Sequence, residues 1–151
     1  MGRGGCQGAV LRILRFAVLA TVSVTACATA PDHLATLTRV QRSQLERFVA
    51  TPKFAADADY IGFRSRGGVA DPDAIINGIA QRLLARGSYT KGAFLDDAIA
   101  SLRAFGAADT EDRERAYGQV ERMMDILGIK SSDGRLDEAF YGADLREHPK
   151  P

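Results

Sequence analysis

From Leu34 onward, apolar residues recur mainly three and four positions apart, the spacing of amphipathic helices. Leu34, Leu37, Val40, Leu45, Phe48 and Val49 form one such stripe, with Arg and Gln opposite. Thr51–Pro52 should end this first helix, because proline disfavours helix in the residue before it. Residues 53–70 show no clear period. Tyr60, Ile61 and Phe63 read either as a short extended piece or as a turn that pins apolar side chains under the helices, and Arg64–Gly68 reads as a mobile surface loop. Asp71 as N-cap and Pro72 at the first helical position open a second helix. Its stripe is Ile75, Ile76, Ile79, Leu83 and Leu84, and Gly87 stops it. A third helix runs from about Thr90, with Phe94, Leu95, Ala98, Ile99, Leu102 and Phe105 inward and Gly106 as its stop. Thr110 is expected to cap a fourth, with Glu111 and Asp112 in the first turn, where the helix dipole favours negative charge. Ala116, Val120, Met123 and Leu127 line that helix, and Gly128 ends it. A short fifth helix is predicted over 135–141, capped by Ser132 or Asp133. No segment alternates with period 2 over a strand's length. The pattern predicts an all-α fold, a small antiparallel bundle of four to five helices joined by short loops.

The first thirty residues read differently. Arg3, Arg12 and Arg15 make a positive leader, and residues 16–26 (FAVLATVSVTA) follow as an uncharged, mostly apolar run, the layout of an export signal. The run is about half the roughly 20 apolar residues of a membrane span. Val24-Thr25-Ala26-Cys27 resembles the bacterial lipobox, which implies diacylglyceryl transfer to the Cys27 thiol, cleavage before it and acylation of the new amine. Several acyl chains anchor a protein stably to a bilayer, where one alone binds marginally. Ala28 after that cysteine matches the pattern associated with the periplasmic face of the outer membrane rather than the inner membrane. The alternative is cleavage after Ala28-Thr29-Ala30 to give a soluble periplasmic or secreted form, but Pro31 would then follow the cut. Met1-Gly2 does not begin a myristoylation motif, since Cys6 stands where Ser or Thr is needed. The expected organisation is a signal peptide over 1–26, a tether over 27–33, a helical domain over 34–145 and a flexible tail over 146–151.

Charge and cysteine content sharpen this picture. The 151 residues carry 20 Lys plus Arg and 19 Asp plus Glu, so no basic excess points to nucleic acid. Loss of residues 1–26 removes three Arg and no acid, leaving 17 basic residues against 19 acidic ones. Cys6 leaves with them, so Cys27 becomes the sole, lipid-linked cysteine, and the fold rests on its core without a disulfide.

Candidate chemistry is sparse. The two histidines, His33 in the tether and His148 in the tail, lie where a preorganised dyad is not expected. Glu114, Glu121 and Asp125 share a face of the fourth helix, and Asp96 and Asp97 lie on the third. Carboxylates on facing helices can hold a metal, yet the Glu-x-x-His pairs of di-iron bundles are missing, and Arg115 and Arg122 suit a solvated ion-pair face better. Asp133-Gly134 lacks the spacing of a calcium loop. Arg64 and Arg66 could add weakly to binding of anionic headgroups. No catalytic residue, metal or cofactor is called for.

The stretches Asp109-Thr110-Glu111-Asp112-Arg113-Glu114, Met124-Asp125-Ile126-Leu127-Gly128-Ile129, Ser131-Ser132-Asp133-Gly134 and Tyr141-Gly142 resemble the C-terminal signature of a bacterial family, domain of unknown function 4844. The resemblance covers about residues 40–142 and implies a compact helical domain with no assigned activity. Its polar residues Asp109, Asp112, Arg113, Ser132 and Asp133 form a possible binding surface, or else are caps and ion pairs that fix how two helices meet. The expectation is a non-enzymatic envelope lipoprotein, held on the bilayer through acylated Cys27 and docking a protein partner or envelope component that the sequence does not name. The alternatives are a hydrolase using the acids of the fourth helix, or an inhibitor or immunity-type protein that masks a partner's active site.

Overall fold

A computed structural model describes residues 32–64, 69 and 71–147, with side chains described as far as residue 142. The leader, Cys27, the tether up to Pro31, loop residues 65–68 and 70, and the last four residues, including His148, lie outside the described residues.

Five α-helices make up most of what is described: α1 (Arg39–Ala50), α2 (Pro72–Arg86), α3 (Lys91–Leu102), α4 (Thr110–Leu127) and α5 (Arg135–Glu147). Two short strands, β1 (Ala35–Thr36) and β2 (Ser88–Tyr89), pair antiparallel with Ala35 opposite Tyr89 and Thr36 opposite Ser88. The fold is the expected all-α bundle, with α2 against α1, α3 and α4, and α5 packed on α3. The fully buried residues include Leu45, Ile76, Ile79, Phe94, Leu95, Phe105, Val120, Met123 and Leu136, so every helix supplies the one core.

The first helix starts later than the apolar spacing predicts. Thr38 and Gln41 close a capping box: the Gln41 N–H donates to Thr38 Oγ1 (3.2 Å), and the Thr38 N–H donates to Gln41 Oε1 (3.0 Å). Ahead of the cap the chain is extended, and the Leu37 N–H donates to the Gly87 carbonyl (2.9 Å). Leu37 is therefore buried from the strand side, while Leu34 (73% exposed) and Val40 (67% exposed) leave the stripe for solvent.

The middle helices follow local signals. Asp71 Oδ1 accepts from the Ala74 N–H (2.8 Å), and Gly87 ends α2 in the left-handed conformation (φ 70°). Thr90 caps α3. That helix tightens into a 3-10 turn over Arg103–Phe105, which drives Phe105 into the core before right-handed Gly106. Thr110 is not a cap, contrary to expectation. The ladder starts one residue earlier, with the Arg113 N–H on the Asp109 carbonyl (3.0 Å), and no side chain caps α4.

Helix α5 outruns its predicted end at Tyr141 by six residues. Ahead of it, Asp133 (φ 54°) and Gly134 (φ 77°) both turn left-handed, and the Glu138 N–H closes on the Gly134 carbonyl (2.9 Å). Helix therefore begins only after Gly134. Asp133 turns its carboxylate to Lys91 Nζ (2.6 Å) instead of capping α5.

Residues 53–63 form a loop that pins side chains beneath the helices, the second of the two readings for this stretch. Phe54 and Tyr60 are buried, and Ile61 is exposed. Phe54 stacks on Phe105 (centroids 5.6 Å apart), with Phe63 edge-on to both at 5.8 and 6.4 Å.

Candidate functional site

The five signature residues do not share one patch. Asp109, Asp112 and Arg113 lie at the start of α4, and Ser132 and Asp133 follow its far end. Helix α4 itself is 18 residues long, about 27 Å at 1.5 Å per residue, so the two groups belong to opposite ends of it. Asp112 points inward, 3% exposed, and accepts the Tyr60 hydroxyl at 2.5 Å. Arg113 crosses to α5, where Nη2 donates to the Phe140 carbonyl (3.2 Å) and the guanidinium sits 5.0 Å from the Phe140 ring centre. Asp109 is half-buried at the N-cap of α4, and Asp133 is paired with Lys91.

Asp112 works with Arg115, three residues along the same face of α4, and together they hold the 53–63 loop. Arg115 stacks over the Tyr60 ring at 4.4 Å, donates through Nε to the Lys53 carbonyl (2.8 Å) and pairs through Nη2 with Asp57 Oδ2 (2.5 Å). That hydrogen bond holds the Asp57 carboxyl below its ordinary range. Burial, then the Asp112 hydrogen bond, pushes the Tyr60 phenol well up.

Lys53, 3% exposed, donates through Nζ to the Phe48 carbonyl (2.5 Å), which also takes the Thr51 N–H, and to the carbonyl of Thr51 (2.6 Å), the residue that caps the end of α1. Burial depresses the Lys53 pKa, against a pull upward from Asp73. A lysine shifted this way can act as a nucleophile, but here both carbonyls and the Phe48 ring (4.2 Å) close around it. The cluster ties a loop down. Lys53 and Arg115 were not anticipated in these roles; the only local sign was the apolar group Tyr60, Ile61 and Phe63.

An open cavity of about 460 Å³ lies between α3 and α5. Its walls are Asp96, Ile99, Ala100 and Arg103 on one side and Arg135, Glu138 and Ala139 on the other. Arg135 Nη2 pairs with Asp96 Oδ1 (2.5 Å), whereas the Arg103 and Glu138 side chains have no partner among the described residues. One free cation on the 3-10 turn after α3 and one free anion on α5 suit a ligand or partner segment that carries both signs. Of the charged residues in this set the sequence marked only Asp96 as candidate chemistry, because the rest requires knowing that α3 and α5 are neighbours.

The remaining acids are dispersed. Glu114, Glu121 and Asp125 are exposed on α4, and Asp97 takes Arg82 in a forked pair at 2.7–3.0 Å. The described residues contain no group of three or more His, Cys, Asp or Glu placed to hold a metal. No described helix is long and apolar enough to cross a membrane.

These features define a small all-α domain whose polar signature is largely turned to its own loops and helix ends. The chain belongs to the family described as a domain of unknown function, DUF4844, whose profile matches residues 36–144. It is also similar to the crystal structure of a DUF3571 family protein from Acinetobacter baumannii AYE, at 27% identity and a TM-score of 0.63, over 74% of this chain and 96% of that one. No curated protein matches it.

Proposed function

We propose that this chain is a lipid-anchored protein of the bacterial envelope, without catalytic activity, whose helical domain docks an envelope protein. The observation that carries the reading is Val24-Thr25-Ala26-Cys27 at the end of an uncharged run behind a basic leader. The start of the folded domain supports it. Asp32 Oδ2 accepts from the Gly92 N–H at the head of α3 (2.9 Å), so four residues, 28–31, separate Cys27 from a fixed point. A domain on so short a leash works at the bilayer. The groove between α3 and α5, with Arg103 and Glu138 unpartnered, is the surface we assign to the docked protein.

Radiolabelled palmitate tests the anchor: the full chain incorporates it, Cys27→Ser does not, and globomycin makes the unprocessed form accumulate. An unlabelled wild-type protein in the soluble fraction overturns the reading. For the docking step, a photocrosslinking residue in place of Ala139 should give one discrete adduct in cells, lost on combining Arg103→Glu with Glu138→Arg. Glu114→Gln, Glu121→Gln and Asp125→Asn together should leave the cellular phenotype intact; its loss would favour carboxylate chemistry instead.

A further inference from the structure

We infer that the end of the domain formed by Leu34, Arg39, Val40 and Arg86 is a bilayer-facing surface that lies against anionic phospholipid; the inference rests on the anchored reading above. Leu34 and Val40 are the two most exposed large apolar side chains among the described residues, at 73% and 67%. They flank the Thr38 cap and point away from the core that Leu37 and Leu45 enter. Three arginines gather at the same end. Arg39 opens α1, Arg42 donates to the Leu84 carbonyl (3.1 Å), and Arg86 precedes Gly87, whose carbonyl takes the Leu37 N–H. Arg39 and Arg86 have no ion-pair partner among the described residues.

Arg39 is placed where a cation is locally disfavoured. It stands at the positive end of the α1 dipole, in a first turn that contains no acid. An external anion would relieve that arrangement. The nearby acid, Asp32, is already engaged by Thr90 and the Gly92 N–H, which hold its carboxyl below the usual range.

Chain length keeps this end within reach of an anchored Cys27. From Cys27 to Leu34 is seven residues, a reach of at most about 25 Å at ~3.6 Å per residue. Apolar side chains rimmed by arginine within that distance match an interfacial contact, with insertion for Leu34 and Val40 and headgroup pairing for the cations.

The test uses the full, lipid-modified chain, in which Cys27 is blocked, so an engineered cysteine is the sole free thiol. Val40→Cys carries an environment-sensitive nitrobenzoxadiazole dye. The control is Glu114→Cys, exposed on α4 and about 20 Å along it from Leu127, whose carbonyl bonds Gln41 beside Val40. On vesicles of phosphatidylcholine with one-quarter phosphatidylglycerol, the dye at 40 should shift to the blue and be quenched by spin-labelled lipid, and the dye at 114 should not. Combined Arg39→Glu and Arg86→Glu should lower the ratio of lipid-docked to undocked dye by at least about thirtyfold while the protein still floats with the vesicles. If the protein floats but both dyes stay in water, the surface is wrong and the anchor stands. Failure to float overturns both. A blue shift at 40 in lipid-free detergent that grows with protein concentration assigns the patch to a second copy of the chain and also overturns the inference.

Discussion

Removing one oxygen from Tyr60 isolates the energetic role of the α4–loop contact. Tyr60→Phe keeps the ring under the Arg115 guanidinium at 4.4 Å and deletes only the hydroxyl that Asp112 accepts at 2.5 Å. Asp112 is 3% exposed and its Oδ2 has no partner, so the substitution strands both carboxylate oxygens in the interior. Hydrogen bonds to charged groups contribute about 1.5–3 kcal/mol, and a buried group left unsatisfied costs a similar amount. Tyr60→Phe should therefore lose about 2–3 kcal/mol. Asp112→Ala strands the phenol instead and should lose about 1–3 kcal/mol. With both changed, no orphan remains, and the double variant should recover roughly 2 kcal/mol relative to the sum of the singles. Urea unfolding of the full chain measures all three, and in a domain of this size 2 kcal/mol corresponds to a Tm shift of about 8 °C. Hydrogen exchange supplies the local readout, since the Asp57 and Phe63 amides, bonded within the loop, should lose protection before the helices do. A Tyr60→Phe effect under about 0.5 kcal/mol, or a cycle additive within that margin, would refute the claim that this pair holds the loop.

Further outcomes follow from other contacts. A methyl group added at Gly92 meets the Asp32 carboxylate, so Gly92→Ala should lower the Tm alone and be harmless beside Asp32→Ala; equal losses in both backgrounds would show that Asp32 does not pin the start of the domain. Asp57 and Asp133 are held below their ordinary pKa by Arg115 and Lys91 respectively, so their contribution is complete above about pH 4 and disappears as pH falls through the depressed values. Asp57→Asn and Asp133→Asn should thus be less stable than wild type at pH 6 and converge on it in acid, whereas an offset constant with pH would remove the electrostatic explanation. Phe105→Ala empties the ring that Phe54 and Phe63 pack against and should cost about 3–5 kcal/mol in chemical denaturation. A loss under 1 kcal/mol would mean that the loop collapses to fill the space.

Helices whose limits are set by their own residues could be read from the chain. Asp71-Pro72, Gly87 and Thr90 act within four residues of the backbone groups they satisfy, so α2 and the start of α3 were legible. At α1, two local signals conflict. Leu34, Leu37 and Val40 keep the helical period, but Thr38-x-x-Gln41 writes a capping box after Leu37, and the box wins because strand β1 offers the preceding backbone other partners. The polar clamp on the Tyr60 loop was illegible for a different reason. Its partners Asp112 and Arg115 are 52 and 62 residues away from the groups they bind, and nothing near Lys53 announces a buried lysine. The cavity wall from Arg135 and Glu138 likewise exists only once α5 lies on α3.

The two proposed surfaces make a joint geometric demand, and the fold meets it. Asp32 fixes the tether at the head of α3, beside Gly92, which places that helix end toward the bilayer if Leu34 and Val40 face lipid. Lys91 bonds Asp133 and Asp96 bonds Arg135, so α5 starts at the same level and climbs alongside α3. Arg103 stands 12 residues beyond Lys91, about 18 Å further along the helix. On that orientation Arg103 sits at the membrane-distal end of the groove, outside the roughly 8 Å over which headgroup charge is felt at physiological salt, while Glu138 lies in the first turn of α5 and lower down. A partner carried by the envelope could reach Arg103 without displacing the anchored face. If the two surfaces coincided, docking and membrane contact would compete; their separation along α3 predicts that Arg39→Glu with Arg86→Glu leaves the crosslink from position 139 unchanged.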